Sequence, residues 1–172
     1  MKKILLSLAV VLCAASVSAQ SWVSEATTAS KWAAGLRVGP GVQAQAEYSL
    51  NDTNYLEARF GMGLCTPYTN AMADFELLYN WRLAEWDWTP NAGTWFLDAG
   101  CGVVVGGREN YAYLGVAGQG KFGIKFKAVP IRLAVDWTPF VGPDIFYWKG
   151  YTHADFNAWG FANCGLSAVY CF

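Results

Sequence analysis

Val42-Gln43-Ala44-Gln45-Ala46-Glu47-Tyr48-Ser49-Leu50 alternates between apolar or aromatic residues and polar ones. A period of two residues marks a β-strand whose faces meet different surroundings. Asn51-Asp52-Thr53-Asn54 follows as a turn cluster. The next stretch sets Leu56, Ala58, Phe60, Met62 and Leu64 against Glu57, Arg59, Gly61 and Gly63. The pattern recurs, with its parity reset at the breaks, at residues 74–83, 95–105, 114–126 and 131–138. A first strand reads at Trp32–Val38 and a last one at about residues 156–172. Eight strands, an even number, suit a closed antiparallel barrel.

The charged face carries both signs, with glycines interleaved. Arg37, Arg59, Arg82, Lys121, Lys125 and Arg132 stand against Glu47, Glu57, Asp74, Glu76, Asp98 and Asp136, six against six. In a narrow eight-stranded barrel such side chains meet across the lumen. Near-neutral pairing is what an enclosed polar interior requires, because an isolated buried charge is very costly. The apolar face would then meet lipid. The competing assignment is a secreted sandwich with its charged face in water, and the aromatics oppose it. With a periplasmic N-terminus, the periplasmic strand ends fall near Trp32, Tyr48, Trp81, Trp95, Phe126, Tyr170 and Phe172, all on the apolar parity. A girdle of rings at one membrane interface explains that placement.

Composition and the N-terminus agree. Charged residues make up 15% of the chain, against about 25% in soluble domains. Trp, Tyr and Phe reach 16%, and there are 18 glycines. Met1-Lys2-Lys3, an apolar run over residues 4–15 and the small residues of Val17-Ser18-Ala19 read as a cleaved secretory signal peptide, residues 1–19. The run is too short for a membrane helix, which needs roughly 20 apolar residues. Cys13 would suit a lipoprotein, but Leu12 fills the place where a small residue is usual. Cleavage leaves 153 residues (172 minus 19), with a short periplasmic segment at residues 20–30 and the barrel over residues 31–172. Losing Lys2 and Lys3 leaves ten basic against thirteen acidic side chains, a net charge of −3 that gives nucleic acid no basic patch.

The ending Leu166-Ser167-Ala168-Val169-Tyr170-Cys171-Phe172 resembles the C-terminal assembly signal of bacterial outer-membrane barrels: a terminal Phe with a hydrophobic residue two positions before it. The mature chain as a whole resembles the eight-stranded OmpA/OmpX-type barrel class. The resemblance implies an outer-membrane location, lipid as surroundings, and the barrel assembly machinery as a partner of the last strand. It implies no cell-wall anchoring, since no peptidoglycan-binding domain follows the barrel.

Connections at residues 39–41, 65–72, 107–111 and 141–155 are expected outside the cell, and those at 51–54, 84–93 and 127–130 in the periplasm. The long outer loop is aromatic. Phe146, Tyr147, Trp148, Tyr151 and His153 could anchor a surface protein or glycan, or could simply cover the barrel mouth. Cys65, Cys101, Cys164 and Cys171 remain after cleavage. Cys101 and Cys164 sit on strands that are not neighbours, and a disulfide needs Cα atoms within about 7 Å. All four read as free thiols without metal-ligand spacing. A lipid-editing enzyme would pair His153 with a serine within about 3 Å. Ser49 and Ser167 read as lying at the other end of the barrel. The expectation is a monomeric, non-enzymatic barrel without cofactor or metal, structural or surface-interactive, with a narrow channel as runner-up.

Overall fold

Alternation becomes strand pairing along most of the chain. The computed structural model describes residues 31–63, 72–148, 151–157 and 159–172. The signal peptide, the segment at 20–30 and nearly all of the connection at 65–72, with Cys65, lie outside the described residues. In chain order the strands are β1 Trp32–Val38, β2 Gly41–Ser49, β3 Asn54–Gly63, β4 Met72–Thr89 and β5 Gly93–Arg108. They continue with β6 Tyr111–Phe126, β7 Ile131–Trp137, β8 Phe140–Trp148, β9 Tyr151–Asn157 and β10 Cys164–Cys171. Every pairing is antiparallel, and β1 pairs with both β2 and β10, which closes the sheet.

The closed ring has eight staves, β1 to β7 and then β10. β8 prolongs β7 along the same edge of β6, from Gly120↔Trp137 to Ala117↔Phe140. Between them Pro139 has no N–H to give, yet its carbonyl accepts from the Gly118 N–H at 2.8 Å. Register measures the stagger. From Arg37, one way round passes Gln43, Gly61, Asp74 and Gly106 to Tyr113 on β6. The other way passes Ser167 and Ala134 to Gly123. The two arrivals differ by ten residues (123 against 113), which for eight strands tilts each by roughly 40°. Such a barrel has an interior that side chains alone can fill.

Three expectations from the sequence need correction. Residues 141–155 are not a loop but the β8–β9 hairpin, paired from Gly142↔Asn157 to Trp148↔Tyr151. Val141, Ile145, Phe146, Tyr147 and Thr152 are β-branched or aromatic and favour extended backbone. The last strand is accordingly not continuous over 156–172. A 3₁₀ turn at Trp159–Ala162 separates β9 from β10. There Gly160 lies flat on Phe140, where a Cβ would stand 2.5 Å from the ring. Finally, residues 84–93 are mostly strand, since β4 runs to Thr89 and β5 begins at Gly93. A bulge between Arg82 and Ala84 shifts the register, so one period-two frame does not span both sides of it.

The faces separate as two solvents would require. Leu36, Phe60, Met62, Val103, Val116, Val135 and Leu166 are exposed on the outside. Arg37, Glu47, Glu57, Arg59, Glu76, Asp98, Lys121 and Asp136 are buried inside. An exposed apolar surface wrapping a charged core inverts the usual arrangement in water.

Candidate functional site

Ion pairs link the walls of the lumen across its width. Near the β1–β2 turn Arg37 of β1 donates from Nε to Asp136 of β7 at 2.8 Å. Its Nη1 donates to Gln43 Oε1 at 3.0 Å and its Nη2 to Asn163 Oδ1 at 3.0 Å. Asn163, just before β10, also donates to Glu76 at 3.3 Å. Gly165 makes the reach possible. A Cβ there would lie 2.7 Å from Arg37 Cζ, so Gly165→Ala should displace the guanidinium and lower stability by about 1–3 kcal/mol. Denaturant titration in vesicles checks this; an unchanged midpoint would mean that Arg37 is not held as described.

Arg59 of β3 is the hub. It donates to Glu57 at 2.5 Å, to Glu76 at 3.0 Å and to Thr138 at 3.1 Å, and lies 3.5 Å from Asp136. Lys121 of β6 contacts Glu57 at 2.5 Å and Glu47 at 3.2 Å. Glu47 also pairs with Arg132 and accepts from Gln45 at 2.7 Å. Toward the β4–β5 turn Arg82 meets Asp98 at 2.7 Å and Glu85 at 2.5 Å. Tyr55 donates to Asp98 at 2.8 Å. The Phe96 ring lies between two cations, 4.8 Å from Arg82 and 5.5 Å from Arg132. Ten of the twelve charges expected inside therefore form ion pairs, five cations with five carboxylates.

The other two stand apart. Asp74 is half-buried and accepts a hydrogen bond from Gln43 at 3.0 Å. Lys125 has the inward parity but is exposed. It pairs with Arg132 in the backbone ladder at the very end of β6, where its long stem can carry the ammonium out to water. Asp144 of β8 is buried, although it belongs to the stretch read as a loop. Tyr55 shares the parity of Glu57 and could have been found that way. Asn163 follows the 3₁₀ turn and belongs to no alternation.

Toward the β8–β9 hairpin the inward face of the long strands carries an apolar cluster, beside the buried Asp144. Leu78, Val104, Tyr113, Ala117 and Phe140 pack together there, with Tyr113 and Phe140 stacked at 5.4 Å. A side chain at Gly106 would collide with the Tyr113 ring, which shows why glycines share this face. Alternation alone marks the face as inward without separating its charged from its apolar stretch.

The aromatic residues expected at one end form pairs there. Trp32 and Tyr48 lie 4.7 Å apart, and Tyr170 and Phe172 lie 5.3 Å apart. Trp81 meets Tyr79 at 4.9 Å, and Trp95 meets Phe122 at 5.3 Å. Phe126 closes β6 and is half-buried. Trp86 and Trp88, hidden by the bulge, extend this set. At the opposite end Phe146 lies 4.9 Å from Tyr111 and pairs with His153 in the β8–β9 ladder, both side chains exposed. In the backbone ladder Trp148 pairs with Tyr151 and Tyr147 with Thr152. Ser167 is buried within the barrel opposite Arg37, not at the end where the sequence reading put it. Cys101 and Cys164 are free and exposed on the outer surface, and Cys171 is free and half-buried. The chain matches no protein-family model, no curated protein and no solved structure.

Proposed function

We propose that this protein is an integral outer-membrane β-barrel with a structural or surface-interaction role and no open pore. The observation that carries the proposal is the balanced ion-pair network, which reaches across the lumen from Arg37 to Arg132. In an interior just wide enough for side chains, these groups occupy the space a solute would need. The apolar outer surface supports lipid as the surroundings, and the C-terminal strand supports handling by a barrel assembly machinery. For a surface partner, protein or glycan, the β8–β9 hairpin with exposed Phe146 and His153 is the natural contact. We infer neither enzymatic activity nor a cofactor.

A narrow channel is the second reading. Both amide atoms of buried Gln119, together with Asn80 Oδ1 and Gln45 Oε1, have no hydrogen-bond partner among the described residues, so water would be at home beside them. Planar-bilayer conductance of the refolded mature chain separates the two, with heat-dependent gel mobility checked on the same sample. A heat-modifiable, silent protein is the expected result. Steady conductance steps would overturn the closed-lumen reading in favour of the channel.

A further inference from the structure

The β8–β9 hairpin stands clear of the closed ring and ends in a free strand edge. β10 pairs with β7 no farther than Cys164↔Trp137, whereas β6 and β8 run on together to Tyr111↔Phe146. β9 follows as the last strand of the sheet, and among the described residues nothing pairs with its outer edge. His153, Ala154, Asp155 and Phe156 are exposed on both faces of the strand, Phe156 to 70%. The edge also has a defined pattern of backbone groups. Phe156 donates its N–H to Oδ1 of its neighbour Asp155 at 2.8 Å, and it lies opposite Pro143 in the ladder. That N–H therefore points away from β8, and by alternation those of Ala154 and Thr152 point the same way. Strand edges are commonly blunted by lysine, proline or a bulge. Tyr151-Thr152-His153-Ala154-Asp155-Phe156-Asn157 has neither lysine nor proline, and its register with β8 is unbroken.

The strand is complementary to itself. Set antiparallel to a second copy about Ala154, it matches Ala154 with Ala154, Thr152 with Phe156 and Tyr151 with Asn157. The outward N–H and C=O groups of Thr152, Ala154 and Phe156 then meet one another as hydrogen-bonded pairs. Asp155 releases the Phe156 N–H, which gains a carbonyl instead. His153 of each copy faces Asp155 of the other, in the non-hydrogen-bonded positions where side chains come closest. An imidazole N–H donates to a carboxylate whether the ring is neutral or charged. A slide of two residues either way loses this match, setting His153 against His153 or Asp155 against Asp155. In the centred register each exposed Phe156 ring lies beside the small Ala154 pair, which covers part of it.

We propose that the edge of β9 binds a second copy of this chain, β9 against β9, in one continuous antiparallel sheet. This rests on the surface-interaction role proposed above and names its partner, where the sequence alone suggested a monomer. Because β9 runs back toward its own ring, the partner's ring lies at the opposite end of the joint. Two barrels so joined sit in facing membranes rather than side by side in one.

The test uses the refolded mature chain in detergent micelles, with Cys65, Cys101, Cys164 and Cys171 replaced by alanine and heat-dependent gel mobility confirming the fold. Single cysteines are introduced by Ala154→Cys, Thr152→Cys or Phe156→Cys and oxidised with copper phenanthroline. Residues paired with themselves on the axis come within the roughly 7 Å that a disulfide needs. Ala154→Cys should therefore give at least fivefold more dimer than either other variant alone, and mixing those two should restore it. Adding His153→Asp to Ala154→Cys should lower the yield at least fivefold, and mixing that chain with one carrying Asp155→His and Ala154→Cys should recover it. Equal yields at 152, 154 and 156 would mean a parallel or chance encounter and overturn the proposal. A folded chain that stays monomeric throughout would also overturn it, leaving the hairpin to a different partner. Flotation with vesicles is read separately. Dimer joined at 154 in a chain that does not float would support the joint and overturn the membrane placement.

Discussion

Arg59→Leu should lower the unfolding free energy of the barrel by about 3–5 kcal/mol. Arg59 is fully buried, and its guanidinium touches Glu57, Glu76 and Asp136 from three different strands. Leucine fills part of the volume but donates nothing. Lys121 still holds one oxygen of Glu57, at 2.5 Å. Among the described residues Glu76 keeps only the amides of Gln43 and Asn163, at 3.2 and 3.3 Å. Removing one partner of a buried pair leaves the other charge desolvated without compensation, which is far worse than removing both. Phe60→Leu is the matched control. Phe60 follows Arg59 directly, faces outward and is 61% exposed, so its loss should change stability by no more than about 1 kcal/mol. Urea unfolding of both variants in lipid vesicles makes the comparison. If Phe60→Leu proved the more damaging, inside and outside would have to be exchanged.

Val135→Arg tests what lies against the outer face. Val135 occupies the middle of β7 between Leu133 and Trp137 and is 55% exposed. If hydrocarbon surrounds it, an arginine there should cost about 2–4 kcal/mol near the midplane, falling toward zero for positions closer to either rim. If water surrounds it, the change should stay within about 0.5 kcal/mol. A depth series of single arginines along β7, read by the same unfolding assay, would trace the apolar band directly. A flat series would rule out the membrane setting without disturbing the barrel fold.

The fold was legible because a strand between two solvents writes its faces into alternate residues. The run from Val42 to Leu50 shows this plainly, as every polar residue from Gln43 to Glu47 is buried and every apolar one between them is exposed. Legibility failed where that rule is locally suspended. The bulge at Arg82/Ala84 changes parity within β4 and concealed Trp86 and Trp88. The alternation breaks off at Thr138, yet pairing continues past Pro139 because a proline carbonyl can still accept. Lys125 has the right parity for the lumen, but depth rather than parity decides its fate, and depth depends on stagger. The identity of each partner was likewise out of reach. Arg37 meets Asp136 and Asn163 only because the ring closes with a ten-residue offset, a property of the whole sheet.

The pairing of β1 with β10 has a consequence for how the molecule is made. Arg37 and Asn163 are 126 residues apart in the chain, and Arg37 and Asp136 are 99 apart. Such distant contacts repay their loop-closure entropy only late, which makes folding slow and strongly cooperative. An arc of six or seven strands would have two raw edges and an open, charged inner face, a species that neither lipid nor water accommodates. Truncation before β10 should therefore yield no stable partial barrel. Until the last eight residues of strand arrive, every earlier strand is waiting for them.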